Sequence, residues 1–380
     1  MDKTSAAKLL GTSNSCLKHF EEIDPYNNNI ISGYICYQSD HRYGALIIYA
    51  VNNEVVPKQI IYGTPKLHYP FGRDKGGGRV YHFVKNWTDV YVYEKLDGTN
   101  ICAYSYFDAH GKRYETFKTR LTPVLKSNKY GNFKALWDEI LEQYPQLGYC
   151  PENISLSYEL YGYRNTHLIA YKNALDARLL FGVNQNTCNI ILPEEFPEHL
   201  PLKKSGEYYN NIDIVEQYNA DREKAESGNK PIEDGKIEGT EGYVYYVKTA
   251  DQIVLYKNKP QSVETIHWTS DSIPESIILP TAWNALESVD KDLTPDYVIM
   301  LLKEEFDDDK INKSMMRIEK CVAKVVAKHK FRQHIMDLYM ASGLSFEKEG
   351  KSLVMRHMSQ YFIKEQMKHV YTAMRELGVI

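Results

Sequence analysis

Glu94-Lys95-Leu96-Asp97-Gly98-Thr99-Asn100 lies between two strand-like runs, Val90-Tyr91-Val92-Tyr93 before it and Ile101-Cys102-Ala103-Tyr104 after it. The spacing places one lysine at a strand end. A carboxylate follows two residues on, then a glycine and a small polar pair. A strand end holds a side chain still, and this one offers a single amine as a nucleophile. Free lysine has a pKa of about 10.4 and is protonated at neutral pH, so such an amine needs surroundings that favour its neutral form. Nearby cations or burial supply that. On its own the stretch is also an ordinary strand-to-turn junction with Asp-Gly as turn residues.

Composition bounds the rest. The 380 residues are enough for two domains, and 43% hydrophobic content supports a sizeable core. The net charge of −4, from 46 basic and 50 acidic residues, excludes a globally basic nucleic-acid binder, so any such surface must be local. Six cysteines are scattered without a Cys-x-x-Cys pair, which argues against a zinc site or disulfide framework and for a reducing compartment. No apolar run reaches about 18 residues and no basic-then-apolar leader opens the chain; a soluble, cytoplasmic protein without membrane contact is expected. The 31 tyrosines suit strands and also surfaces that stack on bases.

Residues 30 to 72 read as short strands with turns between them. Gly76-Gly77-Gly78 reads as a loop; no Gly-Lys-Ser/Thr follows it, so it does not make a P-loop. From about 86 to 260, apolar and β-branched runs recur at 90–94, 100–106, 154–160, 178–183, 243–248 and 252–256. Phe133, Leu136, Trp137, Ile140, Leu141 and Tyr144 fall on one face of a helix, and a second helix is expected near 212–226. After about 275 the period becomes helical. Thr294-Pro295 is a helix start, and Met300, Leu301, Leu302 and Phe306 continue it. The spacing predicts one unit over 1–270, with a β-rich lead over 1–85, and a helical unit over 271–380.

Four further segments carry chemistry. Phe117-Lys118-Thr119-Arg120 is basic and follows the lysine strand. Ser157-Tyr158-Glu159-Leu160-Tyr161-Gly162 puts a carboxylate on a strand-like run. Glu238-Gly239-Thr240-Glu241-Gly242-Tyr243-Val244 leads another carboxylate into a strand. Val254-Leu255-Tyr256-Lys257-Asn258-Lys259-Pro260 places two lysines at i and i+2, on one face of a strand. Singly, each is as well explained by a solvated or ion-paired surface. Together they suit phosphoryl transfer, where fixed cations and a hard divalent ion stabilise dense negative charge. Lys257 and Lys259 can hold phosphates and favour the neutral amine of Lys95. Glu159 and Glu241 can bind magnesium, which takes one or two carboxylates plus phosphates. Arg120 can clamp a phosphate through its planar fork.

In order and spacing, the five segments resemble motifs I, Ia, III, IV and V of the covalent nucleotidyltransferase superfamily of polynucleotide ligases and capping enzymes. DNA ligases and capping enzymes carry arginine where this chain has Asn100, whereas RNA ligases often have asparagine. A DNA ligase or capping enzyme also follows motif V with a β-rich domain, and here helices follow. The chain therefore resembles the ATP-dependent RNA ligases, with the architecture of the bacteriophage T4 RNA ligase 1 type, although Lys-Leu-Asp-Gly-Thr-Asn itself is closer to the RNA ligase 2 and editing-ligase type.

The resemblance implies an α+β fold: a nucleotidyltransferase domain of antiparallel sheets with flanking helices, then an all-α domain. It implies a lysyl-AMP on Lys95, with Lys257 and Lys259 on the α-phosphate and the leaving pyrophosphate. It puts Glu94, Asp97, Gly98, Asn100, Arg120, Glu159, Phe181 and Lys66 around ATP, Lys66 as the γ-phosphate contact. Glu241, Glu159 and Asp97 would bind Mg2+ (or Mn2+). The family often carries an aromatic early in the strand Arg178-Leu179-Leu180-Phe181, where this chain has Arg178, so the adenine-stacking residue stays open.

The implied partner is RNA with 5′-phosphate and 3′-hydroxyl ends, with tRNA break repair as a family-level role. No kinase or phosphatase module is visible, so a separate end-healing kinase or phosphatase would prepare the ends; a monomer is expected. Residues 320–375 carry eleven Lys and Arg against four Asp and Glu, a local charge of +7. Lys320, Lys324 and Lys328 share one helix face, which can track phosphates or simply face solvent. Two alternatives stand beside the RNA ligase: a DNA ligase or RNA guanylyltransferase of the same superfamily, and a ligase-like RNA-binding protein without turnover.

Overall fold

The computed structural model describes all residues except 74–77, 127–132, 166–167, 198–201, 233–235, 269–272, 274, 288–292, 304–305, 307, 377–378 and 380. Gly76 and Gly77 lie outside the described residues. The chain divides into two compact units, Met1–Thr269 and Ser270–Ile380.

The first unit opens with helix α1 (Lys3–Leu10), capped by Asp2 and closed by Gly11 at φ 67°. A four-stranded antiparallel meander follows: β1 (Leu17–Ile23), β2 (Ile30–Cys36), β3 (Leu46–Val51) and β4 (Glu54–Ile61). Ala6, Ala7 and Leu10 of α1 pack onto Leu17, Tyr34 and Ile47 of this sheet. A small hairpin, β5 (Phe71–Arg73) and β6 (Arg79–Tyr81), leads to the strands that matter for the site.

Those strands and their helices are, in chain order, β7 (Asp89–Glu94), β8 (Thr99–Phe107), β9 (Arg113–Thr119), α2 (Phe133–Gln143), β10 (Ile154–Tyr161), β11 (Asp176–Asn184), β12 (Ile190–Ile191), β13 (Glu207–Tyr209), α3 (Ile214–Gly228), the short pair β14 (Lys230–Pro231) and β15 (Ile237–Glu238), β16 (Tyr243–Lys248), β17 (Ile253–Asn258) and α4 (Gln261–Trp268). They build two antiparallel sheets, of order β12-β11-β10-β8-β9 and β13-β7-β16-β17.

Strand alternation sets the layers. On β16, Val244 and Tyr246 face the other sheet, packing with Phe181, Val183 and Leu192. Tyr245 and Val247 face the opposite way, against Ile214 and Tyr218 of α3. On β8, Ile101 and Ala103 meet Leu136, Trp137 and Ile140 of α2, the apolar face read from the sequence. The result is helix, sheet, sheet, helix. Lys95 to Gly98 form the crossing from one sheet (β7) to the other (β8).

The second unit is helical among its described residues: α5 (Glu275–Glu287), α6 (Pro295–Leu302), α7 (Asp308–Ser342), α8 (Phe346–Met358) and α9 (Met367–Glu376). Thr294 caps α6 and Pro295 is its first residue. The helix stops at Leu302, short of Phe306, which is nevertheless buried in the core shared by α5, α6 and the first half of α7. Ile335, Val354, Met358, Val370 and Met374 form a second core where the end of α7 meets α8 and α9. The fold is thus α+β followed by an all-α region. Among the described residues, no helix is long and apolar enough to cross a membrane.

Candidate active site

The crossing at Lys95 is fixed from both sides. Its backbone N–H donates to Gly242 O at 2.9 Å, tying it to the loop before β16. Gly98 lies so close to β10 that a β-carbon there would sit 2.2 Å from Leu160 O. The glycine is needed for close approach, and every larger residue would push the two strands apart. One oxygen of Asp97 accepts from the N–H groups of Leu168 and Ile169 at 2.5 and 2.8 Å, and its own N–H donates to Tyr171 Oη at 2.7 Å. Asp97 therefore anchors the 168–171 segment over the crossing.

The centre of the site is a carboxylate shared by two ammonium groups. Lys95 Nζ lies 2.5 Å from Glu241 Oε2, and Lys259 Nζ 2.7 Å from Glu241 Oε1. Glu241 is 5% exposed. Burial pushes its carboxyl up, but Lys259 and Lys95 outweigh that and hold it at about 2. Its loop is set by Gly242 at φ 123°, where a β-carbon would lie 2.0 Å from Asn258 O, and by Asn229, which accepts from Thr240 N–H.

Lys257 and Lys259 divide the work. The strand ends at Asn258, because Pro260 has no N–H to extend the ladder, so Lys259 stands just past it. Lys257 Nζ lies 4.5 Å from the centre of the Tyr69 ring, a cation–π contact. Helix α3 clamps this turn: Tyr218 Oη donates to Lys257 O at 2.7 Å and Arg222 Nε to Lys259 O at 2.7 Å. Both lysines are nearly buried, at 8% and 9% exposure, so neither is the solvated strand edge that a Lys-x-Lys pair usually marks.

A cleft of about 390 Å³ opens beside Lys95, between the two sheets. Glu94, Lys95, Arg120, Glu159, Phe181 and Thr240 line it, with Leu67, Leu179, Val244 and Tyr246 as its apolar part. That mixture of an apolar wall and a few convergent charged groups is the usual make-up of a small-molecule site, and the volume suits a nucleotide. Phe181 lies against Tyr246, ring centroids 6.1 Å apart, and is 2% exposed. Desolvation raises Glu159 to about 7; Lys95 and Arg120 pull it down, and Glu241 and Asp97 push it up.

Asn100 does something other than touch the cleft directly. It is buried, accepts from Thr64 Oγ1 at 2.7 Å, and donates to Ser157 Oγ at 2.8 Å and Tyr158 O at 3.1 Å. It joins β8 and β10 to Thr64, which lines the cleft. Thr64 and Leu67 flank Lys66 in sequence. Lys66 itself donates its N–H to Asp40 O at 3.5 Å, and its charge, with that of Lys257, adds to desolvation in holding His68 low.

Two cations escaped the sequence reading as site residues. Arg178 Nη1 lies 3.1 Å and Lys204 Nζ 3.4 Å from Glu94 Oε2, and both line the cleft. Arg178 also lies 5.5 Å from the centre of the Tyr161 ring. Its place at the expected aromatic position was the signal. Lys204 carried none, since it sits in a polar turn. Tyr69, under Lys257, lies in the segment 64–71, where the resembled ligase type places a basic and an aromatic residue before the nucleophile motif.

Solved structures that this chain is similar to include an archaeal ATP-dependent RNA ligase and a Naegleria gruberi RNA ligase. An archaeal ATP-dependent RNA ligase matches at 13% identity, over 90% of this chain and 83% of that one, with a TM-score of 0.43. Naegleria gruberi RNA ligase with PPi matches at 12% identity, over 67% of this chain and 98% of that one, with a TM-score of 0.34. A mutant of the Naegleria gruberi enzyme with ATP and Mn matches at 16% identity, over 47% of this chain and 52% of that one, with a TM-score of 0.33. No family model and no curated protein matches the sequence.

Proposed function

We propose that this chain is an ATP-dependent RNA ligase, joining 5′-phosphate and 3′-hydroxyl RNA ends through a lysyl-AMP and an adenylylated RNA. The observation that carries the reading is Glu241 held between Lys95 and Lys259 at the edge of a nucleotide-sized cleft. Lys95 Nζ, positioned by its contact with Glu241, which stays ionised, loses its proton to solvent and attacks the α-phosphorus of ATP. The bond to the bridging oxygen breaks and pyrophosphate leaves, its charge met by Lys257 and Lys259. AMP then passes from Lys95 to the 5′-phosphate oxygen of the RNA. The 3′-hydroxyl displaces AMP from that phosphorus, and the strand is sealed. The fixed positions of Lys95, Arg120 and the two lysines supply orientation and charge stabilisation.

The carboxylates suit a divalent ion held mostly by substrate. Among the described residues, no three His, Cys, Asp or Glu side chains converge as a closed metal cage. Glu159, kept up at about 7 by desolvation with Glu241 and Asp97 adding to it, is the kind of carboxyl a cation would stabilise as the anion. Glu159 and Glu241 would hold Mg2+ or Mn2+. When bound, the ion offsets phosphate charge. Asn100 supports RNA over DNA or a cap, on the motif resemblance above. The excess of basic residues in the helical unit would meet RNA backbone. On α7, however, Lys328 Nζ and Arg332 lie 5.8 and 5.1 Å from the centre of the Trp283 ring and Lys324 pairs with Glu275, so this part of the basic face is engaged within the unit.

Mass spectrometry of the intact protein after incubation with ATP and magnesium tests the reading. A covalent AMP adduct on Lys95, lost in Lys95→Ala, is expected; an unmodified wild-type protein overturns it. A 5′-phosphorylated single-stranded RNA compared with nicked DNA then tests the acceptor, with RNA sealing expected.

A further inference from the structure

Lys118 is 0% exposed and is one of the largest fully buried side chains. It pairs in register with Cys102 on β8 and points away from Phe117, which faces α2. Its Nζ donates to Thr119 O at 3.1 Å and Arg120 O at 2.9 Å. The backbone of the β-rich lead closes over it. A β-carbon on Gly63 would lie 3.5 Å from its Cε and Nζ, and one on Gly44 would lie 3.4 Å from its Nζ and 2.1 Å from Arg120 O.

Burying an ammonium is costly, and an apolar side chain of similar length would fill this space without that cost. The charge therefore has a local task. Strand β9 ends at Thr119. Arg120 stands beyond the ladder, in a turn, so strand pairing does not fix it. The two carbonyl oxygens that Lys118 takes belong to the peptide groups on either side of Arg120. The same ammonium abuts Gly63, next to Thr64, which lines the cleft with Arg120. Burial pushes Lys118 down to about 8, and Arg120 adds to that push against Cys102. The two cations are thus close enough to feel each other.

We propose that Lys118 is a positioning residue: by holding the Thr119 and Arg120 carbonyls against the Gly44 and Gly63 backbone, it aims the Arg120 guanidinium into the nucleotide cleft. This rests on the adenylylation proposed above. It differs from a packing role in predicting that the effect of Lys118 runs through Arg120.

A double-mutant cycle on the full chain reads this directly. Self-adenylylation is measured across ATP concentrations for wild type, Lys118→Met, Arg120→Ala and the double variant, with thermal melting of each. Lys118→Met is expected to lower the rate constant over KM by about 100-fold, the scale of a misplaced catalytic group. In the Arg120→Ala background the same substitution is expected to change it by less than about threefold. If Lys118→Met does not fold, Lys118→Gln keeps a hydrogen-bond donor without the charge and serves the same cycle. Losses that multiply independently in the double variant, or a Lys118 variant as active as wild type, overturn the proposal and leave the ligase reading standing. A wild-type protein that takes up no AMP overturns both.

Discussion

Replacing Glu241 by glutamine isolates the interaction at the centre of the site. The substitution keeps the shape and removes the charge, leaving Lys95 and Lys259 without their shared carboxylate. The carboxyl is held at about 2 against an ordinary 4.5, and that difference corresponds to about 3 kcal/mol of stability at neutral pH. Loss of one partner from a buried pair costs about 3–5 kcal/mol by direct measurement in other proteins, and Glu241 is buried enough for that scale to apply. Because folding depresses this pKa, the contribution is complete above about pH 4.5 and is lost as the pH falls towards 2. Glu241→Gln should therefore destabilise the protein by about 3 kcal/mol at pH 7, and the gap from wild type should close as the pH approaches 2. Amide hydrogen exchange of β16 and β17 peptides, followed by mass spectrometry across a urea series, reads the unit that holds the site. A gap below about 1 kcal/mol at pH 7, or one that persists undiminished at low pH, would refute the reasoning. The variant should also lose self-adenylylation.

Three further outcomes are expected. Glu159→Gln should cut self-adenylylation; because desolvation raises the wild-type carboxyl from 4.5 to about 7, the charged form weakens the folded state, so the stability of the variant relative to wild type should climb between those two pH values in denaturation curves. Gly98→Ala puts a β-carbon 2.2 Å from Leu160 O and should cost about 1–3 kcal/mol in thermal unfolding, with an unchanged Tm counting against the close approach. Arg178→Leu removes the 3.1 Å contact to Glu94 and should weaken ATP binding by about tenfold in calorimetry, the worth of one charge-assisted hydrogen bond.

Strand content and the helical tail were legible because their periods are intrinsic. Trp137 and its neighbours face β8 and β10 as their spacing requires, and Ile318, Cys321, Val322 and Val325 are buried along α7. What sequence period cannot carry is which sheet a strand joins. β7 and β8 look like two arms of one hairpin around an Asp-Gly turn, yet they belong to different sheets. Asn100 illustrates the same limit. Its residue type distinguished RNA ligase from DNA ligase by resemblance, but its role in the fold, tying Thr64 to β10, depends on partners 36 and 57 residues away. The Arg178 and Lys204 contacts to Glu94 span 84 and 110 residues, and a lysine in a polar turn has no local signature.

The sheet assignment explains why five individually weak segments were informative together. Lys95 sits where the chain passes from the β7 sheet to the β8 sheet. Arg120 and Glu159 come from the second of these, by way of β9 and β10; Glu241, Lys257 and Lys259 come from the first, around β16 and β17. Lys95, Arg120 and Glu159 line the cleft itself, and Glu241 and Lys259 reach it through their contacts with Lys95 and with each other. A cation or carboxylate at one such place is ordinary. A cleft with cations and carboxylates on both walls, and a lysine on the crossing between them, brings like charges together, which costs free energy unless the groups pair. Here Glu241 takes two ammonium groups, while Lys257 rests on Tyr69. A polyphosphate entering the cleft would compete for those same ammonium groups. Glu241→Gln should accordingly weaken adenylylation by removing the carboxylate that positions Lys95, yet leave Lys95 and Lys259 more available to bind inorganic pyrophosphate. Calorimetric titration with pyrophosphate should show tighter binding to the variant than to wild type, and equal or weaker binding would show that Glu241 does not hold these cations in reserve.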